Sequence, residues 1–219
     1  MDSTDRPAQS PIPTEVRQAL TADLALQRFD LSDRNLDGVD LSRLRAPELK
    51  AHHTSFAGTL LTGALLIDAD LMGANLDRAH LSGANLGLAR LDQCTLREAD
   101  LSHALMTVAS CSDADATAAS FVGADLSGTY FFGSRLEQAS MRGVQAKQAA
   151  FDRAILVDAD LRGGTFSSAS FIHADLSEAD LSFGDFSHAD FRGAQLQGTR
   201  WEGAVLTGAR FDAGCFPDV

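Results

Sequence analysis

The sequence is short of several residue types, and each shortage excludes a class of protein. Only three of its 219 residues are Cys, too few for a disulfide framework, which favours a reducing compartment. Proline occurs five times, and Trp and Tyr once each against 13 Phe. Lys and Arg total 18 against 30 Asp and Glu, a net charge of −12. The basic surface that direct nucleic-acid binding requires is therefore missing.

The chain also lacks the apolar runs that mark membrane and secreted proteins. No stretch approaches the roughly 18 consecutive apolar residues of a transmembrane helix. The N-terminal residues show no basic segment followed by an apolar one, so no secretory signal is visible. These absences, together with the few cysteines, predict a cytoplasmic protein without a membrane partner.

What the sequence does contain is a period of five residues. Every fifth residue from Leu26 to Phe216 is apolar, and the residue two positions earlier is mostly Ala. Asp or Asn often precedes the large residue, as in Ala69-Asp70-Leu71 and Ala84-Asn85-Leu86. A period of five fits neither a helix nor a long strand. It predicts a chain that turns a corner every five residues, with the large and the small residue pointing inward.

The unit A-[DN]-L-x-x, repeated over roughly residues 24–216, resembles the pentapeptide repeat family. The resemblance implies an all-β solenoid, a right-handed quadrilateral parallel β-helix with 20 residues and four faces per coil. About ten coils would form a rod roughly 45–48 Å long. Residues 20 apart would then stack, and one column contains five consecutive phenylalanines: Phe131, Phe151, Phe171, Phe191 and Phe211.

The predicted organisation is a capped solenoid. Residues 1–13 are expected to be disordered, and residues 14–25 to form a short helical cap with Thr14 as its N-cap. The solenoid is predicted over 26–216, with a less regular cross-section before about residue 54, and 217–219 as a tail. Since no second helix follows, the C-terminal coil is a candidate contact for a second copy of the chain.

The four faces, named by their first inward residue, differ in their outward residues. Face 1 is built on Leu26, face 2 on Leu31, face 3 on Leu36 and face 4 on Leu41. Face 1 carries outward apolar residues in three successive coils, which predicts a partner-binding patch: Leu65, Ile67, Leu88, Leu105 and Val108. Tyr130 with Phe132, and Phe183, are smaller candidates. A neighbouring segment covering the patch is the structural alternative.

Face 3 carries the strongest acidic bias, eight acids against three arginines. Such a face favours a protein partner with a basic surface. The residues that we assign to a partner-binding acidic face are Asp77, Glu98, Asp115, Glu137, Asp158, Asp175 and Glu178.

Little in the sequence supports catalysis. The histidines show no metal-ligand spacing, Cys94 and Cys111 fall in inward positions, and the repeated Asp residues are explained as turn residues. We therefore expect neither an enzyme nor a cofactor or metal site.

The resemblance implies a binding module, and three roles stay open. The first is an immunity-type protein that neutralises a nuclease-like, secretion-system-associated bacterial toxin. The second is a DNA mimic that binds and protects a type II topoisomerase against quinolones or toxins. The third is a secretion-system adaptor or scaffold. We favour the first, because twelve net charges spread along the rod are far sparser than the one charge per about 1.7 Å of duplex DNA.

Overall fold

The computed structural model describes residues 12–214, and these form a capped parallel β-solenoid. Residues 1–11 of the predicted disordered segment 1–13, residues 215–216 of the predicted solenoid 26–216, and the tail at 217–219 lie outside the described residues. One helix, α1, spans Thr14–Ala22 and precedes the coils. No helix of the described residues is long and apolar enough to cross a membrane.

The solenoid is held together by isolated parallel bridges rather than by long strands. Every fifth residue forms a bridge with the residue 20 positions later, from Ala25↔Arg45 to Asp190↔Arg210. Four bridges therefore make one coil, which confirms the predicted four-sided cross-section. Because each coil bonds only to its neighbours, the fold is a one-dimensional stack.

A β-turn separates successive sides of each coil. The amide that closes the turn donates to the carbonyl three residues back, as from Ala89 to Leu86 at 3.0 Å. The third residue of these turns has positive φ, as in a type II turn, which favours Gly at that position. This geometry explains why Gly recurs two residues after the large apolar residue.

The interior is filled by the large and small inward residues along the whole stack. Phenylalanines of face 2 stack in register, with ring centroids 5.2 Å apart between Phe131 and Phe151 and 5.0 Å between Phe151 and Phe171. A second column on face 1 places Phe166 and Phe186 4.9 Å apart and packs at an angle against the first. Aromatic packing of this kind stabilises the C-terminal half of the rod.

The N-terminal coils keep the same register although their inward residues are larger. Val39, Leu44 and Leu49 are buried where Ala is usual, and only Arg34 in that series is exposed. Helix α1 buries Val16 and Ala19 at this end. Its N-cap is Pro13 and not Thr14, and no side chain caps it, so the predicted capping residue was wrong by one position.

Candidate functional site

The residues predicted as an apolar patch on face 1 divide into an exposed and a half-buried group. Leu88, Leu105 and Val108 are 53, 46 and 52 % exposed. Leu65 and Ile67, one to two coils nearer the N-terminus, are half-buried. The candidate site is therefore centred on the coils that contain Leu88 and Val108.

Backbone hydrogen bonds between adjacent coils bring the three exposed residues together. The amide of Leu88 donates to the carbonyl of Thr107 at 3.0 Å, which places Val108 directly above Leu88 in the next coil. The amide of Leu105 donates to Ala84 at 2.9 Å, so Leu105 lies in that same upper coil. The patch is thus built on turns and bridges that are hydrogen-bonded to the neighbouring coils.

The backbone at two of these residues is unfavourable for the side chain it carries. Both occupy the third turn position, with φ of +62° at Leu88 and +57° at Val108. A left-handed conformation costs an L-residue about 1–2 kcal/mol, and a β-branched side chain is the least suited to it. Gly and many other residues fill this position in the described coils, and Val108 is the one β-branched residue among them.

Replacing this valine should therefore stabilise the rod. We expect Val108→Gly to raise the free energy of unfolding by about 0.5–1 kcal/mol, because the relief of strain exceeds the added chain entropy. Chemical denaturation followed by circular dichroism measures it. The matched control is Val122→Gly, at a turn position with no positive φ, which should lower stability. Loss of stability in both variants would contradict the proposed strain.

The predicted acidic residues of face 3 also form two groups, because several of them are bonded to arginines or to the backbone. The Asp115 carboxylate lies 2.8 Å from Arg97, and Glu137 lies 2.7 Å from Arg135. Burial opposes ionisation of Asp115, but hydrogen bonds from Thr117 and Arg97 outweigh it and lower its pKa. These acids are neutralised by their neighbours and offer little net charge to a partner.

Two further acids of this face serve the backbone. Asp77 accepts the amide of Arg97 one coil later at 3.1 Å, and Asp175 accepts the amide of Ser177 at 3.0 Å. The bond that Asp175 accepts from the amide two residues later recurs at the other Asp and Asn residues that precede the large inward residue of their pentapeptide. Hydrogen bonds from the Ser187 side chain and backbone, for instance, lower the pKa of Asp185. The acid of the repeat is therefore primarily a turn residue.

Three predicted acids remain exposed at third turn positions: Glu98, Asp158 and Glu178. None of them has an ion pair among residues 12–214. Asp158 and Glu178 lie in adjacent coils of face 3 beyond Arg135, where its described residues include no further outward arginine. The available negative potential of face 3 is thus concentrated in these two coils.

Two aromatic residues belong beside the patch, although the sequence predicted them as a separate, smaller candidate. The amide of Tyr130 donates to the carbonyl of Ala109, the residue that follows Val108, at 2.9 Å. Tyr130 is 51 % and Phe132 45 % exposed, on the adjoining face 2. The 20-residue stacking rule could have revealed this, since it places Tyr130 directly above Ser110.

Within the described part of the chain, no group of His, Cys, Asp and Glu side chains is arranged to hold a metal ion. Cys94 and Cys111 are buried free thiols. Burial raises the pKa of both, so neither is poised as a nucleophile.

Two solved structures align with most of the chain. HetL of the cyanobacterium Nostoc sp. strain PCC 7120, a pentapeptide repeat protein involved in heterocyst differentiation regulation, is 26 % identical. The match covers 95 % of this chain and 100 % of HetL, with a TM-score of 0.45. QnrB1, a plasmid-mediated fluoroquinolone resistance protein, is 20 % identical over 86 % of this chain and 94 % of its own, with a TM-score of 0.57. No curated protein matches the sequence.

The sequence profile that describes pentapeptide repeats matches in eight copies. The matched segments are residues 50–87, 74–107, 109–145, 147–182 and 185–219, well over half of the chain. With the five-residue phase, the four-sided coil and these matches in agreement, the chain belongs to the pentapeptide repeat family.

Proposed function

We propose that the protein is a non-catalytic binding module of the immunity type, which captures and neutralises a nuclease-like bacterial toxin with a basic surface. One observation carries the proposal: Leu88, Leu105 and Val108 are exposed side by side, two of them at turn positions that disfavour them. Clustered apolar side chains on a polar rod are the usual anchors of a protein interface. Binding in the cytoplasm is consistent with the free thiols.

The charge of the molecule supports a basic partner. The net charge of −12 gives a long-range attraction, and Asp158 and Glu178 concentrate part of it on face 3. Electrostatic attraction mainly accelerates association, while apolar anchors slow dissociation. We therefore assign the two predicted surfaces to different steps of binding.

The alternative role is a DNA mimic that protects a type II topoisomerase. The fold shared with QnrB1, a fluoroquinolone resistance protein, is the observation that favours it. The arginines between the acids count against it. Asp160 is held by Arg162 at 2.6 Å, and Asp180 by Arg200 at 3.1 Å, so the acidic columns are interrupted by cations that a DNA backbone lacks.

A gyrase supercoiling assay with the purified chain separates the two roles. We expect no inhibition and no protection from quinolones, because arginines interrupt the acidic columns. Inhibition at stoichiometric concentration would replace the immunity role by the topoisomerase role. Analytical ultracentrifugation of the same sample tests the further proposal that two copies associate through the C-terminal coil.

The charge assignment has its own test on the association rate. The partner is first isolated by affinity purification on the full chain and then purified separately. We expect Glu98→Lys, Asp158→Lys and Glu178→Lys combined to slow association at low salt by about tenfold, with a smaller effect on dissociation.

The matched control combines Asp77→Lys with Asp175→Lys, acids that are engaged with the backbone. Its association rate should fall less, although it loses stability. Stopped-flow measurements at two salt concentrations give both rates. A rate independent of salt and of all five substitutions would rule out a basic partner.

A further inference from the structure

The exposed apolar side chains form one surface that crosses an edge of the rod. Five of the large exposed hydrophobic residues lie in three successive coils on adjoining faces. We call them the edge ridge: Leu88, Leu105, Val108, Tyr130 and Phe132. The bond from Tyr130 to Ala109, the residue after Val108, places Tyr130 one coil above the corner that follows Val108.

Three acids border the edge ridge, one of which, Asp125, also accepts the Ser127 amide, and Lys147 lies in the coil above. Asp68 lies one coil below Leu88, Asp125 one coil above Leu105, and Asp113 beside Phe132. None of the three has an ion pair within the described residues. The arginines at the border are Arg90, bonded to Asp70 at 2.8 Å, and Arg153, whose guanidinium lies 5.6 Å from the Phe132 ring centroid.

The spacing of the side chains in the edge ridge matches that of the apolar residues along an α-helix. Adjacent coils are about 4.8 Å apart, so three coils place apolar side chains over about 10 Å of the rod axis. Apolar residues three and four apart on a helix are about 5–6 Å from each other, and three turns cover about 16 Å. One helix could thus contact all three coils and place cationic residues beside the bordering acids.

A second copy of the chain fits less well. Five half-exposed large side chains offer at most roughly 400–600 Å², if each is given the 150–250 Å² of a full aromatic side chain. A stable dimer buries about 800 Å² on each partner. Two rods of net charge −12 would also repel each other.

We propose that the edge ridge is the docking site for an amphipathic helix whose apolar stripe is flanked by Lys and Arg. This inference rests on the proposed function, because it specifies how the partner binds. Leu88 and Val108 contact one side of the helix, and Tyr130 and Phe132 the other, so the helix lies over the edge between faces 1 and 2. The bordering acids determine the charge of the helix that is accepted.

The test uses fluorescein-labelled peptides of 16 residues and the full-length chain. The first peptide has Leu at helical spacing with Lys on both flanks, the second has the same composition scrambled, and the third has Glu in place of Lys. Fluorescence anisotropy should show the first binding at least about tenfold more tightly than the others.

Two pairs of substitutions locate the site. Tyr130→Ser combined with Phe132→Ser should weaken binding of the first peptide by about tenfold or more. Phe183→Ser, at an exposed third turn position on face 4, should leave it unchanged. Thermal unfolding by circular dichroism verifies that each variant is folded. Equal binding of all three peptides, or binding insensitive to Tyr130 and Phe132, overturns the helix proposal.

Binding of the natural partner to the variants shows whether the helix proposal fails alone or together with the proposed function. If Leu88→Asp weakens the partner but Tyr130→Ser with Phe132→Ser does not, the helix proposal is wrong and the face 1 patch still binds. If neither change weakens the partner, both are wrong.

Discussion

Phe171→Ala is expected to lower the free energy of unfolding by about 3–5 kcal/mol, the largest loss of stability that we predict for a single side chain. Phe171 is fully buried, and its ring centroid lies 5.0 Å from that of Phe151 and 4.9 Å from that of Phe191. It also contacts Phe166 and Phe186 of the second column at 5.9 and 6.1 Å. Truncation leaves a cavity between two coils that the rigid backbone ladder cannot close.

Guanidinium unfolding followed by the fluorescence of Trp201, which is 5 % exposed, measures this loss. Circular dichroism in the same titration shows whether the coils unfold together, because a one-dimensional stack can lose its end first. The matched control is Phe132→Ala, a phenylalanine that points outward, which should cost less than about 1 kcal/mol. Equal losses for the two variants would contradict the assignment of Phe171 to the core.

The second large effect is expected on partner binding. Leu88→Asp combined with Val108→Asp should weaken the complex by at least about 100-fold, because two carboxylates would be buried against apolar partner groups. The variant should stay folded, since both side chains point to solvent and Asp tolerates a left-handed turn position better than Leu or Val. Co-purification of the partner with the variant and with the unchanged chain is the measurement.

Phe183→Asp is the control for this substitution. It makes the same chemical change at an exposed turn residue with φ of +61°, more than two coils beyond the edge ridge along the rod. If Phe183→Asp weakens the complex as much as the double variant does, the effect comes from the added negative charge and not from the loss of a defined site.

The fold could be predicted from the sequence because the repeat makes every coil similar. The phase that begins at Leu26 is unbroken, and each bridge from Ala25 to Arg210 follows from it. The N-terminal coils were harder, because Leu44 and Leu49 occupy positions that usually hold Ala. Burial of both residues shows that the cross-section accepts larger side chains there.

The candidate site was predicted less completely, because outward exposure depends on neighbouring side chains. Leu65 has the same position in its pentapeptide as Leu105, yet it is half-buried. The ion pairs of Asp115 and Glu137 depend on side-chain conformations across coils, which a count of charges per face does not contain. The positive φ of Val108 is likewise a backbone property that the count of outward residues does not contain.

The dissociation constant of the purified partner, measured by titration calorimetry, tests the central claim most directly. We predict that the single change Val108→Asp raises it by at least about tenfold and that Phe183→Asp leaves it within about twofold of the unchanged chain. A partner that binds the Val108→Asp variant as tightly as the unchanged chain would contradict the assignment of this apolar patch as the docking site.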